Sequence, residues 1–194
     1  MDANSQKGKS VMTFLKTPVD PLMTGVMMPL YRVILKILGF TACVVCAVAL
    51  SRFLFEAAMV RGSSMQPTLC DGECYLAARQ FSEKSVKTGS IVCIQITDGV
   101  YASDKRFVKR VVGIPGDFVE IRSGILYVNG KESPYQFDYI VSAGIIGSGG
   151  LRLGRDEYFV MGDNRNNSTD SRIFGAVRFD EITNIVFTKF RIRY

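Results

Sequence analysis

Between Lys36 and Arg52 runs an uninterrupted uncharged stretch, Ile37 to Ser51, and the chain on either side of it is of a different character. As a helix it would rise about 22 Å, short of a hydrocarbon layer about 30 Å thick. Counting from Val33 to Phe55 closes the gap, provided the long stems of Lys36 and Arg52 carry their charges toward the two interfaces. One membrane-spanning helix over 33–55 is therefore expected. Charge orients it. Of the net +6, the first 36 residues supply +3, through Lys7, Lys9, Lys16, Arg32 and Lys36 against Asp2 and Asp20. Cytoplasmic flanks carry such an excess, so the amino end is expected inside the cell membrane and the rest outside. Two other readings stay open: a cleavable secretory signal with Ala47-Val48-Ala49 as its small-x-small site, and a buried core helix. The first needs an unusually long amino-terminal region, and the second leaves the charge asymmetry without a purpose.

The segment before the helix, residues 1–32, reads as a flexible or loosely amphipathic cytoplasmic tail. Pro18, Pro21 and Pro29 each disfavour helical continuation from the residue before them. After the helix the apolar period shortens to that of strands. Cys74 to Arg79, Ile91 to Ile96, Arg106 to Ile114, Phe118 to Arg122, Ile125 to Val128, Tyr158 to Met161 and Ile182 to Ile192 are β-branched or aromatic runs. Ser123-Gly124 and Asn129-Gly130 supply turn chemistry between them. The stretch Ser142 to Gly154 holds Gly144, Gly147, Gly149, Gly150 and Gly154 and reads as a flexible loop or hairpin tip. Many short strands predict a mostly β architecture: one membrane helix, then a single all-β domain over 56–194. At 194 residues the chain has room for one such domain and no second.

Composition removes several function classes. The basic excess has no basic helix, zinc-ligand spacing or aromatic RNA-binding pattern beside it, so nucleic acid is not an expected partner. With no histidine, and no Cys-x2-Cys pair outside the membrane segment, no metal is expected, nor any organic cofactor. Cys70, Cys74 and Cys93 in the β region leave room for one disulfide if that region faces an oxidising compartment.

Three motifs carry the chemistry: Ser64 to Thr68 (Ser-Met-x-Pro-Thr), Lys109 to Asp117 (Lys-Arg-Val-Val-Gly-Ile-Pro-Gly-Asp) and Gly162 to Arg172 (Gly-Asp-Asn-x3-Ser-x-Asp-Ser-Arg). Ser63 and Ser64 are equally good hydroxyls by chemistry, and Pro67 stiffens the turn that presents them. On a strand from Arg106 to Ile114, Lys109 shares a face with Phe107 and Val111 while Arg110 sits on the other, exposed or ion-paired. Apolar neighbours disfavour the ammonium, so such a lysine would be tuned toward pH 7 to 8, where a general base works best. A neutral lysine beside a serine hydroxyl can do the work that histidine does elsewhere. Taken singly, the first motif is also readable as a plain proline turn, the second as a snorkelling surface lysine, and the third as an ordinary polar loop.

All three motifs, in this order, resemble type I signal peptidases, over a region from about Phe53 to the carboxyl end. The resemblance selects Ser64 as nucleophile and Lys109 as general base. It implies that Ser168 hydrogen-bonds and orients the Lys109 amine, and that Asp170 and Arg172 form a structural ion pair behind the site. The Ser64 N–H would stabilise the oxyanion. Some members add a hydroxyl two residues earlier, where this chain has Gly62, which leaves the Gly62 backbone and the Ser63 hydroxyl as open alternatives. The implied activity is removal of amino-terminal signal peptides from exported preproteins, by an enzyme in contact with membrane lipid. A dedicated maturation peptidase of the same family, a self-cleaving Ser/Lys repressor and a non-enzymatic anchored β domain are the alternatives. Met65, Leu69 and Phe55 are expected either to hold the site at the bilayer surface or simply to pack in the core.

Overall fold

The computed structural model describes residues 21–79, 81–97, 101–102, 106–147 and 149–190. Most of the expected amino-terminal tail, Pro18 included, and the last two residues of the run ending at Ile192 lie outside the described residues. The chain divides into two compact units, Met1–Leu50 and Ser51–Tyr194.

Helix α1 runs from Pro21 to Leu54 and contains Pro29. Its stretch Pro29–Leu54, 26 residues, is long and apolar enough to cross a membrane, and none of its most apolar window is buried by protein. At 1.5 Å per residue it reaches roughly 39 Å. The helix thus begins well before Val33, so residues 21–32 of the expected tail are helical. Pro21 opens the helix, where a fixed φ is favourable and no N–H is required. Pro29 sits inside, at the cost of one hydrogen bond and not of the helix. The helix closes at Leu54, and Phe55 starts the first strand.

The second unit is all antiparallel. Its larger sheet has the order β1-β2-β11-β3-β4-β9-β10, formed by β1 (Phe55–Met59), β2 (Cys74–Ala78), β3 (Ile91–Ile94), β4 (Phe107–Gly113), β9 (Glu157–Met161), β10 (Val177–Arg178) and β11 (Ile182–Phe190). The smaller sheet has the order β7-β6-β5-β8, from β5 (Phe118–Arg122), β6 (Ile125–Val128), β7 (Lys131–Glu132) and β8 (Leu151–Arg152). The β5-β6 and β6-β7 hairpins turn at Ser123-Gly124 and Asn129-Gly130, all four at positive φ, as a two-residue hairpin turn of matching twist requires. The seven expected strands are all present, with ends shifted by a residue or two. β1, β7, β8 and β10 escape the period-2 reading: three are two residues long, and β1 continues an apolar run read as helix. The glycine-rich stretch is not featureless either, because it forms a short 3-10 turn at Gly144–Ile146 and strand β8.

Strand β4 is an interior strand, between β3 and β9. Val111 belongs to a core with Val92, Ile94 and Val160, while the next residue, Val112, belongs to another with Val119, Leu126 and Phe159. A strand buried on both faces can offer its polar residues only partners supplied by the protein. A third core, with Val60, Met65, Leu69, Tyr75 and Cys93, sits under the loop between β1 and β2. Met65 and Leu69 are each 1% exposed, so their role is core packing, whereas Phe55 is exposed and meets Phe187 edge-on at 5.7 Å. All five cysteines are free, so no disulfide joins Cys70, Cys74 and Cys93.

Candidate active site

Ser64 stands in the loop between β1 and β2. Met65 and Leu69 anchor that loop from below. The loop's ends are closed by hydrogen bonds from Val60 N–H to Glu73 O at 2.8 Å and from Gly72 N–H to Val60 O at 3.0 Å. A turn bonded at its base and buried at its middle presents its remaining hydroxyl in a narrow range of directions, which nucleophilic attack needs.

Lys109 comes from the middle of β4, opposite Val92 on β3. Its Nζ donates to Ser64 Oγ at 2.8 Å, and the residue is 2% exposed. Phe107, two residues earlier and on the same face as expected, places its ring centroid 5.9 Å from Nζ. Burial is the main influence on the amine and brings its pKa down from 10.5 to about 8, with Asp170 and Asp163 opposing and Arg172 assisting. The same contact, with the amine neutral, lets Nζ accept the hydroxyl proton.

The third motif folds against this pair. Asn164 donates from its backbone N–H to Ser64 O at 3.0 Å and from its side chain to Ser63 O at 3.2 Å, and Asn167 Nδ2 donates to Ser63 Oγ at 2.9 Å. Gly162 permits the approach, since a Cβ there would lie 2.2 Å from Ser168 Oγ and 2.5 Å from Ser64 O. Asp170 and Arg172 form the expected pair, bidentate and buried, with Nε to Oδ1 and Nη2 to Oδ2 both at 2.8 Å. Asp170 Oδ2 also accepts the Gly162 N–H at 3.0 Å, so the ion pair fixes the turn itself. Ser168 differs from expectation. Its Oγ is buried with no hydrogen-bond partner among the described residues, so the bond to Lys109 is not made in this structure, although both residues line one cavity. Gly162 packs on that hydroxyl, which accounts for its burial.

Several supporting residues were not identified from the sequence. Arg110 resolves to the ion-paired alternative: Nε and Nη2 grip Asp163 at 2.8 and 2.7 Å, Nη1 donates to Gly89 O at 2.8 Å, and the guanidinium stacks on Tyr135 and Phe137. Gly162, Asp163 and Asn164 read from the sequence as the turn that sets this loop against the Ser64 segment, whereas Asn167 went unassigned because asparagine in a loop needs no further reason than conformation. Glu56 is held ionised, its pKa lowered by hydrogen bonds from Arg106 at 2.6 and 2.8 Å. Nothing local in the sequence marks that pair, whose members lie 50 residues apart.

Two cavities meet at Ser64 and Lys109. One, of about 630 Å³, is lined by Ala58, Val60, Met65, Tyr75 and Val108. The other, of about 470 Å³, is lined by Ser63, Phe107, Asn166, Asn167 and Ser168. An extended chain laid across both would pass its backbone over the serine hydroxyl. A buried lysine amine on a serine hydroxyl, in a mostly β domain with an open cleft on either side, defines a serine peptidase that works without histidine.

The comparisons agree. The family described as signal peptidase, peptidase S26, matches residues 32–191, and the chain belongs to that family. It is 33% identical over 150 residues to the probable signal peptidase I-2 of Synechocystis sp., covering 76% of this chain and 68% of that protein. It is 39% identical over 140 residues to a signal peptidase I of Bacillus licheniformis, covering 66% and 72%. With the signal peptidase I T of Bacillus subtilis the identity is 40% over 143 residues, covering 66% and 69%. A solved signal peptidase I from Enterococcus faecalis superposes with a TM-score of 0.39 at 25% identity, over 52% of this chain and 96% of that one, too loosely to bear on the fold.

Proposed function

We propose that the chain is a membrane-anchored endopeptidase that removes amino-terminal signal peptides from exported preproteins, with Ser64 as nucleophile and Lys109 as general base. The observation that carries this reading is the 2.8 Å contact between Lys109 Nζ and Ser64 Oγ inside a buried site. Neutral Lys109 takes the hydroxyl proton as Oγ attacks the scissile carbonyl, and the Ser64 N–H receives the developing oxyanion. Lys109 then passes the proton to the leaving amine, and a water activated by the same amine releases the acyl group from Ser64. Asp170 and Arg172 hold the loop behind the pair, and Ser168, close to Lys109, limits where the amine can lie. The cavity walled by Ala58, Val60 and Val108 suits small side chains on the amino side of the cut. α1 anchors the enzyme in lipid, with the residues before its apolar stretch inside and 56–194 outside, a direction supported by the Lys and Arg that precede that stretch. The names of the relatives favour a signal peptidase over a dedicated maturation enzyme.

The test is cleavage of a signal-peptide-bearing precursor by the full chain in detergent micelles. We expect release of the mature protein at one bond, and loss of activity in Ser64→Ala and in Lys109→Ala with the melting transition retained. Because the two act as a unit, the double variant should be hardly slower than either single one. Full activity in Lys109→Ala would end the Ser/Lys reading.

A further inference from the structure

We infer that the Ser63 hydroxyl is the second donor to the oxyanion, and that Asn167 is the residue that positions it. The inference rests on the peptidase reading above and decides between alternatives that reading leaves open. A tetrahedral intermediate of acyl transfer needs preorganised donors, and one backbone N–H from Ser64 is a sparse set. The Gly62 N–H is already committed, since it donates to Asp71 Oδ1 at 2.7 Å. Nor does position 62 suit a hydroxyl-bearing residue: its φ of +94° lies where side chains other than glycine's are strained.

Ser63 meets both requirements that Gly62 fails. Its backbone is fixed, because its carbonyl accepts from Gln66 N–H at 3.1 Å and from Asn164 Nδ2 at 3.2 Å. Its side chain is fixed as well, because Oγ accepts from Asn167 Nδ2 at 2.9 Å. A serine hydroxyl has one hydrogen to give and two lone pairs to receive with. The Asn167 amide occupies a lone pair, so the hydrogen remains free for a second partner. Ser63, Ser64, Lys109 and Asn167 line the same cavity, so that partner is an atom bound at Ser64. No bond to Ser63 forms or breaks. Its hydrogen bond strengthens as the carbonyl oxygen takes on negative charge and weakens as the carbonyl reforms. The amide that donates to Oγ makes the hydroxyl a better donor in turn.

The experiment uses the full chain in detergent micelles, with a synthetic peptide spanning a signal-peptide cleavage point, and measures kcat and KM separately. We expect Ser63→Ala to lower kcat roughly 100- to 1,000-fold, as loss of one such donor does elsewhere, with KM changed by no more than about threefold. Ser63→Thr, which keeps the hydroxyl, should recover most of the rate. The decisive pair is Asn167→Ala and Asn167→Asp. A carboxylate would accept the Ser63 hydrogen and draw it away from the oxyanion, so Asn167→Asp should be the slower of the two. Unchanged kcat in Ser63→Ala, a loss that Ser63→Thr does not relieve, or equal rates in the two Asn167 variants would overturn the inference and leave the peptidase reading standing. A wild-type protein that cleaves no such peptide would overturn both.

Discussion

Lys109 and Arg110 are consecutive residues of β4, both buried, and their charges are handled in opposite ways. Arg110 receives a buried carboxylate from Asp163 at 2.7 Å. Lys109 receives a serine hydroxyl and, among the described residues, no ion-pair partner. Alternation along the strand sends the two side chains to different faces, so neither can borrow the other's environment. The consequence is a permanent cation beside an amine that can be neutral near pH 8.

The first consequence is kinetic. As pH rises through about 8, Lys109 loses its proton and becomes a base, so kcat/KM should climb across that range and level off above it. Cys70, Cys74 and Cys93 are the other groups to exclude, and a variant with all three changed to serine or alanine should keep the rising limb. A flat profile in that variant, with chemistry rate-limiting, would remove Lys109 as the titrating base.

The same group makes stability depend on pH. In the folded chain Lys109 releases its proton near 8, whereas an unfolded lysine holds it to 10.5. Between those values the unfolded chain binds more protons, so stability increases with pH there, by about 3 kcal/mol across the whole window. Calorimetry of the full chain in detergent should show wild type gaining Tm on Lys109→Met from about pH 7.5 to 9.5, with no further change of the difference below that range. A difference that shrinks over the window would contradict the sign.

Asp163 tests the buried pair behind the strand. Asp163→Ala leaves the Arg110 guanidinium buried without its carboxylate, and breaking such a pair costs about 3 to 5 kcal/mol. Thermal melts should show this directly. Replacing both partners together, Arg110→Met with Asp163→Leu, should recover much of the loss, because no uncompensated charge then remains.

Orientation is tested by protease added outside spheroplasts. We expect digestion of the region after Met59 and protection of residues before Arg32, given the basic flank that precedes the apolar helix. Digestion of the tail alone would reverse the assignment.

A large part of this protein was decided locally and could be read as such. Runs of β-branched residues bounded by Ser123-Gly124 and Asn129-Gly130 can do little but form hairpins, and the uncharged run between Lys36 and Arg52 has a strong preference for a helix in an apolar surrounding. The face of β4 that carries Lys109 follows from period-2 alternation alone. Neighbours across long sequence separations were a matter for the tertiary structure. Arg110 met Asp163 across 53 residues, Asn167 met Ser63 across 104, and Arg106 met Glu56 across 50, because strand order in the sheet brought them together. Prolines show the same division. By local rules Pro29 interrupts a helix, and only the long apolar context carried α1 through it. Ser168 marks the far limit: its position beside Lys109 was legible from the motif, but the direction of its hydroxyl depends on the packing of Gly162 against it, which no one-dimensional pattern records.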